Sequence, residues 1–116
     1  MAEIVMDASV LLAFLNDEPG GDVAGDRISV AVISALNLAE VVGKLGEAGM
    51  PETAIRDALG GLELTVVPFD SELAYSAGML QPATRSHGLS LGDRACLGLT
   101  VHLDLPALTA DRAWGG

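Results

Sequence analysis

"EIVMDASVLLAFLN", residues 3–16, is the stretch whose reading decides the fold. "EIVMD" (3–7) is a short β-rich run ending in an acid, and "ASVLLAFLN" (8–16) continues with apolar residues at helical spacing. A strand that hands over directly to a helix is the opening of an α/β unit. The alternation then repeats. "DEPGGDVAGD" (17–26) is turn-rich with room for one short helix, and "ISVAVIS" (28–34) is β-branched enough for a second strand. A helix over about 34–48 has Ser34 as its N-cap and ends near Gly49, and "PETAIRDALGGL" (51–62) starts on Pro and stops at a Gly pair. "LTVVPF" (64–69) predicts a third strand and "DSELAYSAGMLQ" (70–81) a helix capped by Asp70 or Ser71, followed by a loop "PATRSHG". "SLGDRACLGLTVHL" (90–103) has helical periodicity, and "LPALTAD" (105–111) gives a short strand that again ends in an acid. Strands alternating with helices predict a mainly parallel sheet of four or five strands, covered on both faces.

Composition bounds the rest. A chain of 116 residues suits a single domain over residues 1–116 that can bury a core without staples. Hydrophobic residues make up 50%, yet only Phe14, Phe69, Tyr75 and Trp114 are aromatic, so the core must be aliphatic. Cys96 is the only cysteine, which excludes an internal disulfide and points to a reducing compartment, the cytoplasm by default. The apolar N-terminal run is broken by Asp7 and lacks a basic region, so neither a signal peptide nor a membrane span is expected. Sixteen acids against six bases give a charge of −10, which repels nucleic acid unless cations or a basic partner intervene.

Asp7 and Asp111 both follow predicted strands, and in a parallel sheet such ends share one edge, where ligands of open α/β sheets bind. Asp93 falls in the first turn of a helix that should open onto that edge, and Glu40, about one and a half turns into its helix, has a side chain long enough to reach it. Each also has a structural reading. Asp7 and Asp111 would serve as N-caps, Asp93 would close a capping box with Ser90, and Glu40 would pair with Lys44. The neighbours Leu38, Ala39, Val41 and Val42 leave that helix few solvent-facing positions, so Glu40 is expected to be drawn out of water, and its pair with Lys44 is worth only about 0.3–0.5 kcal/mol. Two converging carboxylates about 5 Å apart repel by roughly 3 kcal/mol at an effective dielectric of 20. A divalent cation removes that conflict, and an all-oxygen ligand set favours Mg²⁺ or Mn²⁺, the ions that activate water against a phosphodiester.

"IVMDAS", "ISALNLAEVV", "LSLGDRACLGL" and "LPALTAD", in this order and spacing over nearly the whole chain, resemble the PIN-domain family and within it the VapC-type toxins of bacterial toxin–antitoxin pairs. The resemblance implies a three-layer α/β/α PIN-like domain acting as a Mg²⁺- or Mn²⁺-dependent endoribonuclease, often on tRNA or rRNA. Carried over residue by residue, it makes Asp7, Glu40, Asp93 and Asp111 the catalytic, metal-binding acids, with Ser9 and Thr109 as supporting hydroxyls. It also implies a homodimer held inactive by a cognate antitoxin, whose basic tail suits the charge of −10. Arg94 and Arg112, each directly after a proposed ligand, are the candidates for phosphate contact. Relatives commonly continue past the "TAD" acid through a further helix and strand, so the C-terminal edge element is expected to be truncated or missing after "RAWGG".

Other chemistries fit less well. A haloacid-dehalogenase-type phosphatase needs an Asp where Ser9 stands, and a receiver domain needs a phosphoacceptor after the third strand, where Asp70 reads as a cap. A nucleophile built from Cys96 with His87 or His102 meets the apolar neighbours Ala95, Leu97 and Leu99. A PIN-like dimerisation and partner-binding module without turnover stays open.

Overall fold

The computed structural model describes residues 1–109. Aliphatic and β-branched runs form strands β1 (Ile4–Met6), β2 (Ala31–Ser34), β3 (Thr65–Val67) and β4 (Ala107–Leu108), all parallel, in the order β3-β2-β1-β4. Between them run α1 (Ala8–Leu15), α2 (Gly21–Arg27), α3 (Ala35–Glu47), α4 (Glu52–Gly60), α5 (Ser71–Ala83) and α6 (Leu91–Leu103). Parallel neighbours require such crossovers, and the alternating side chains of the strands divide them between two faces.

Val5 and Val32 point to one face, where Leu73 of α5 and Cys96 and Leu99 of α6 cover them. Ile4, Met6, Ala31 and Ile33 point to the other, against Val10 and Leu11 of α1, Ala24 of α2, Val41 and Leu45 of α3 and Ile55 of α4. This is the expected three-layer α/β/α arrangement. The close approach of α2 to α1 rests on Gly21, where a Cβ would lie 2.5 Å from the carbonyl oxygen of Ala13. An apolar recess of about 710 Å³ opens between α3, α4 and β3, lined by Leu38, Val42, Met50 and Val66 among others, and it includes none of the acids singled out above. No helix of the described residues is long and apolar enough to cross a membrane.

The strands are shorter than their sequence runs. Residues Ile28–Val30 form a 3₁₀ turn, not the start of β2; the pairing with β1 begins at Ile4 opposite Ala31, just after the Val30 carbonyl accepts from the Glu3 N–H at 2.7 Å. Ile28 instead packs into the core beside α1. Conversely, α5 runs on through Pro82 to Ala83, past the predicted end at 81. Pro near a C-terminus removes only one late backbone bond, and Thr84 closes the helix with both its N–H and its hydroxyl on the Leu80 carbonyl. A 3₁₀ turn at Arg85–His87 occupies the predicted loop.

Leu99 is fully buried between α6 and the sheet, so Leu99→Ala should cost about 2–5 kcal/mol in chemical denaturation, whereas truncation of the exposed Val101 to Ala should stay within about 0.5 kcal/mol.

Candidate active site

The strand register builds a row of polar residues along the carboxyl edge of the sheet. Met6 pairs with Ile33 on one side and Leu108 on the other, so the next residue, Asp7, is flanked by Ser34 and Thr109. The Asp7 N–H donates to the Leu108 carbonyl at 3.2 Å, which fixes the turn from β1 into α1. Asp7 is also the N-cap of α1: its Oδ1 accepts from the Val10 N–H at 3.1 Å and from the Ser9 hydroxyl at 2.7 Å. The Thr109 hydroxyl donates to Oδ2, and the hydroxyls of Ser9 and Thr109 lie 3.4 Å apart. Both hydroxyls are thus hydrogen-bonded to the Asp7 carboxylate. At 3% exposure, burial drives the Asp7 carboxyl above its ordinary 3.8; the bonds from Thr109, Ser9 and Val10 work against this, and nearby Asp93 adds to it.

Asp93 comes from the first turn of α6. Its capping box is real: Asp93 N–H donates to Ser90 Oγ at 3.1 Å, and Ser90 N–H donates to Asp93 Oδ2 at 3.0 Å. Capping and proximity to Asp7 therefore coexist in one side chain. Glu40 departs from expectation. It is exposed, because α3 buries only the stripe Asn37, Val41 and Leu45, and Ala39, Val42 and Lys44 face outward with it. Nor does it pair with Lys44: the ion pairs among the described residues are Arg27–Glu3 and Arg56–Glu52. Glu40 Oε1 instead accepts from Asn37 Nδ2 at 3.0 Å, and the same Nδ2 donates to the Gly92 carbonyl at 2.9 Å.

Cys96 lies on α6 one turn beyond Asp93 and is fully buried. Burial pushes its thiol up to about 12, and the charges of Asp7, Asp93 and Glu40 each push in the same direction. Acids that follow β1 and that lie on α3 and α6 therefore all act electrostatically on one buried thiol of α6. Among the described residues, no three His, Cys, Asp or Glu side chains close into a set ready to hold an ion, since each acid is drawn to its own hydrogen-bond partners. A buried, protonated thiol also removes the Cys96 nucleophile reading.

Arg94 takes a different partner from the one expected. Its Nη1 donates to the Ala77 carbonyl of α5 at 3.1 Å, which turns the guanidinium toward that helix. Asp111, Arg112 and Trp114 lie outside the described residues. Sequence reasoning passed over Asn37. The available signal was an amide three residues before Glu40, on the same i, i+4 stripe as Val41 and Leu45, where a polar side chain needs a reason to be buried.

A family model for the PIN domain matches residues 4–115. The chain belongs to the PIN domain family. The PIN fold also appears in solved structures similar to it. A VapC20 toxin of Mycobacterium tuberculosis, described as cleaving the sarcin–ricin loop, is 17% identical with a TM-score of 0.79, over 95% of this chain and 91% of that one. A DNA-bound VapBC complex of Salmonella typhimurium contains a chain 18% identical, TM-score 0.76, over 100% and 92%. A toxin–antitoxin complex of Klebsiella pneumoniae contains one 18% identical, TM-score 0.74, over 98% and 92%. Comparison with curated protein sequences gives no match.

The raised pKa of Asp7 has a consequence for stability. Between 3.8 and the higher folded value, the folded protein holds a proton that the unfolded chain has lost, so this group's contribution falls as pH rises through that window. Asp7→Asn keeps an oxygen for the Val10 N–H and removes the buried charge. It should raise the Tm at pH 7, with the gain shrinking as the pH is lowered toward 4.

Proposed function

We propose that this PIN domain is the toxin of a type II toxin–antitoxin pair, a VapC-type endoribonuclease that hydrolyses RNA phosphodiester bonds at the carboxyl edge of its sheet with Mg²⁺ or Mn²⁺. The observation that supports the reading is the pairing, in a PIN fold, of the buried Asp7 carboxylate, which feels the charge of Asp93, with Glu40, which Asn37 ties to the Gly92 carbonyl next to Asp93. The donor set fits a hard divalent ion: carboxylates and hydroxyls, with no exposed thiol and one buried acid strained by a second. Such an ion, when bound, lowers the pKa of water and offsets charge developing on phosphate oxygens.

The residues of the chain supply the rest. Ser9, Thr109 and the Val10 amide keep the Asp7 carboxylate in one orientation and favour its charged form against burial. The capping box engages Asp93 through Oδ2, which accepts from the Ser90 amide; in this reading Oδ1 is the oxygen offered to the ion. Glu40, on the exposed side of α3, contributes a carboxylate held by Asn37 beside Gly92. Asp111 completes the set in this reading, and Arg112 contacts phosphate. The substrate class is structured RNA, tRNA or rRNA, and the chain acts in the cytoplasm as a homodimer. A cognate antitoxin with a basic tail would be complementary to a chain of charge −10 and would block the acids by occupying them.

One observation favours a second reading, a PIN-like partner-binding module without turnover: the three described acids are each engaged locally and do not close into an ion site. The two readings part in one experiment. Incubation of total cellular RNA with the protein and Mg²⁺ or Mn²⁺, mapped by end sequencing, should yield discrete cuts in one or a few stable RNAs. The cuts should vanish with Asp7→Asn, and Glu40→Gln should reduce them at least 100-fold. Equal cutting by wild type and Asp7→Asn overturns the proposal, and so does a wild-type Tm that neither ion raises.

A further inference from the structure

Glu40 is exposed, yet its carboxylate is held more closely than an exposed side chain on α3 requires. Asn37, on the first turn of α3, is 1% exposed and, among the described residues, is a buried polar side chain alongside Asp7 and Ser34. Its Nδ2 donates to both Glu40 Oε1 and the Gly92 carbonyl, which uses both amide hydrogens and ties α3 to the first turn of α6. Exchanging Nδ2 and Oδ1 would set an oxygen against two acceptors, so the hydrogen bonds fix the amide orientation. Oδ1 is buried with no hydrogen-bond partner among the described residues, a cost that the bonds made by Nδ2 help to offset. Gly92 supplies the second restraint. A Cβ there would lie 2.2 Å from Glu40 Oε1, 2.5 Å from Oε2 and 2.6 Å from the carboxyl carbon. The carboxylate therefore lies flat against the backbone of Gly92, in space that any other residue would fill.

We propose that Asn37 and Gly92 are positioning residues that clamp the Glu40 carboxylate against the first turn of α6, fixing its placement relative to Asp93 and Asp7. Asn37 acts as a donor that reaches from beneath, and Gly92 as a seat that exists because it has no side chain. The clamp makes an exposed, flexible glutamate behave as a fixed ligand, and it couples α3 to α6 at the point where the acids meet. The clamp's role rests on the reading of Glu40 as a metal-binding acid in the preceding subsection.

Two measurements on the whole chain test it, and one needs no metal. Gly92→Ala should lower the Tm in the presence of Glu40, where the new methyl collides with the carboxylate. In a Glu40→Ala background it should raise the Tm, because alanine is the better helix residue once the collision is gone. A loss of equal size in both backgrounds overturns the seat. The second measurement is Mn²⁺ affinity by calorimetry. Asn37→Leu and Gly92→Ala, each checked for folding by circular dichroism, should weaken Mn²⁺ binding about 10- to 100-fold, the range for residues that orient a ligand. Neither should weaken it further once Glu40 is Ala. Wild-type affinity in both single variants, or undiminished losses in the Glu40→Ala background, overturns the clamp. A wild-type protein that binds no Mn²⁺ overturns the metal reading and with it the clamp's role there, an outcome distinct from a wild type and variants that bind equally.

Discussion

The structure depends on one buried carboxylate. β1 lies in the interior of a parallel sheet, and the residue that follows it, Asp7, is buried. An isolated charge there would cost several kcal/mol. What makes the position tolerable is assembled from α1 and from the chain beyond β4: a backbone amide, a hydroxyl two residues on, and the Thr109 hydroxyl. Strand order, register and helix start all serve this one side chain, and a shift of β4 by one residue would take Thr109 away from it.

The acids do double duty as caps. Asp7 begins α1 and Asp93 closes the capping box of α6, while α3 starts from Ser34 at the same edge. Helix N-termini thus face the acids, and each offers a carboxylate about 0.3–1 kcal/mol. Two carboxylates about 5 Å apart repel by roughly 3 kcal/mol at an effective dielectric of 20. Helix ends alone therefore ease the crowding of acids without cancelling it. Local hydrogen bonds do the remaining work by drawing each acid toward its own partner.

Much of this was legible in the chain. Strand-to-helix handovers at Asp7 and Ser34, the Pro51 start of α4 and the Asp70 cap of α5 are local signals, written in residues that touch their own neighbours. Element ends set by tertiary pairing were not. "ISVAVIS" looks like one strand, and only the position of Ile4 opposite Ala31 shows where its ladder begins. Glu40 was read as buried because its neighbours are apolar, but Ala39 and Val42 are small or exposed and α3 buries a stripe just one residue wide. The amide of Asn37 was in plain view, yet its meaning depends on a carbonyl 55 residues away.

The bond between Thr109 and Asp7 joins residues 102 positions apart, nearly the two ends of the described chain. During synthesis the first acid leaves the ribosome long before its hydroxyl partner exists, by on the order of 5–20 s at ordinary rates of translation. A nascent chain carries Asp7, Glu40 and Asp93 without the contact that sets the first of them in place. The setting of Asp7 waits for the chain that follows β4, so a residue made late completes one made early.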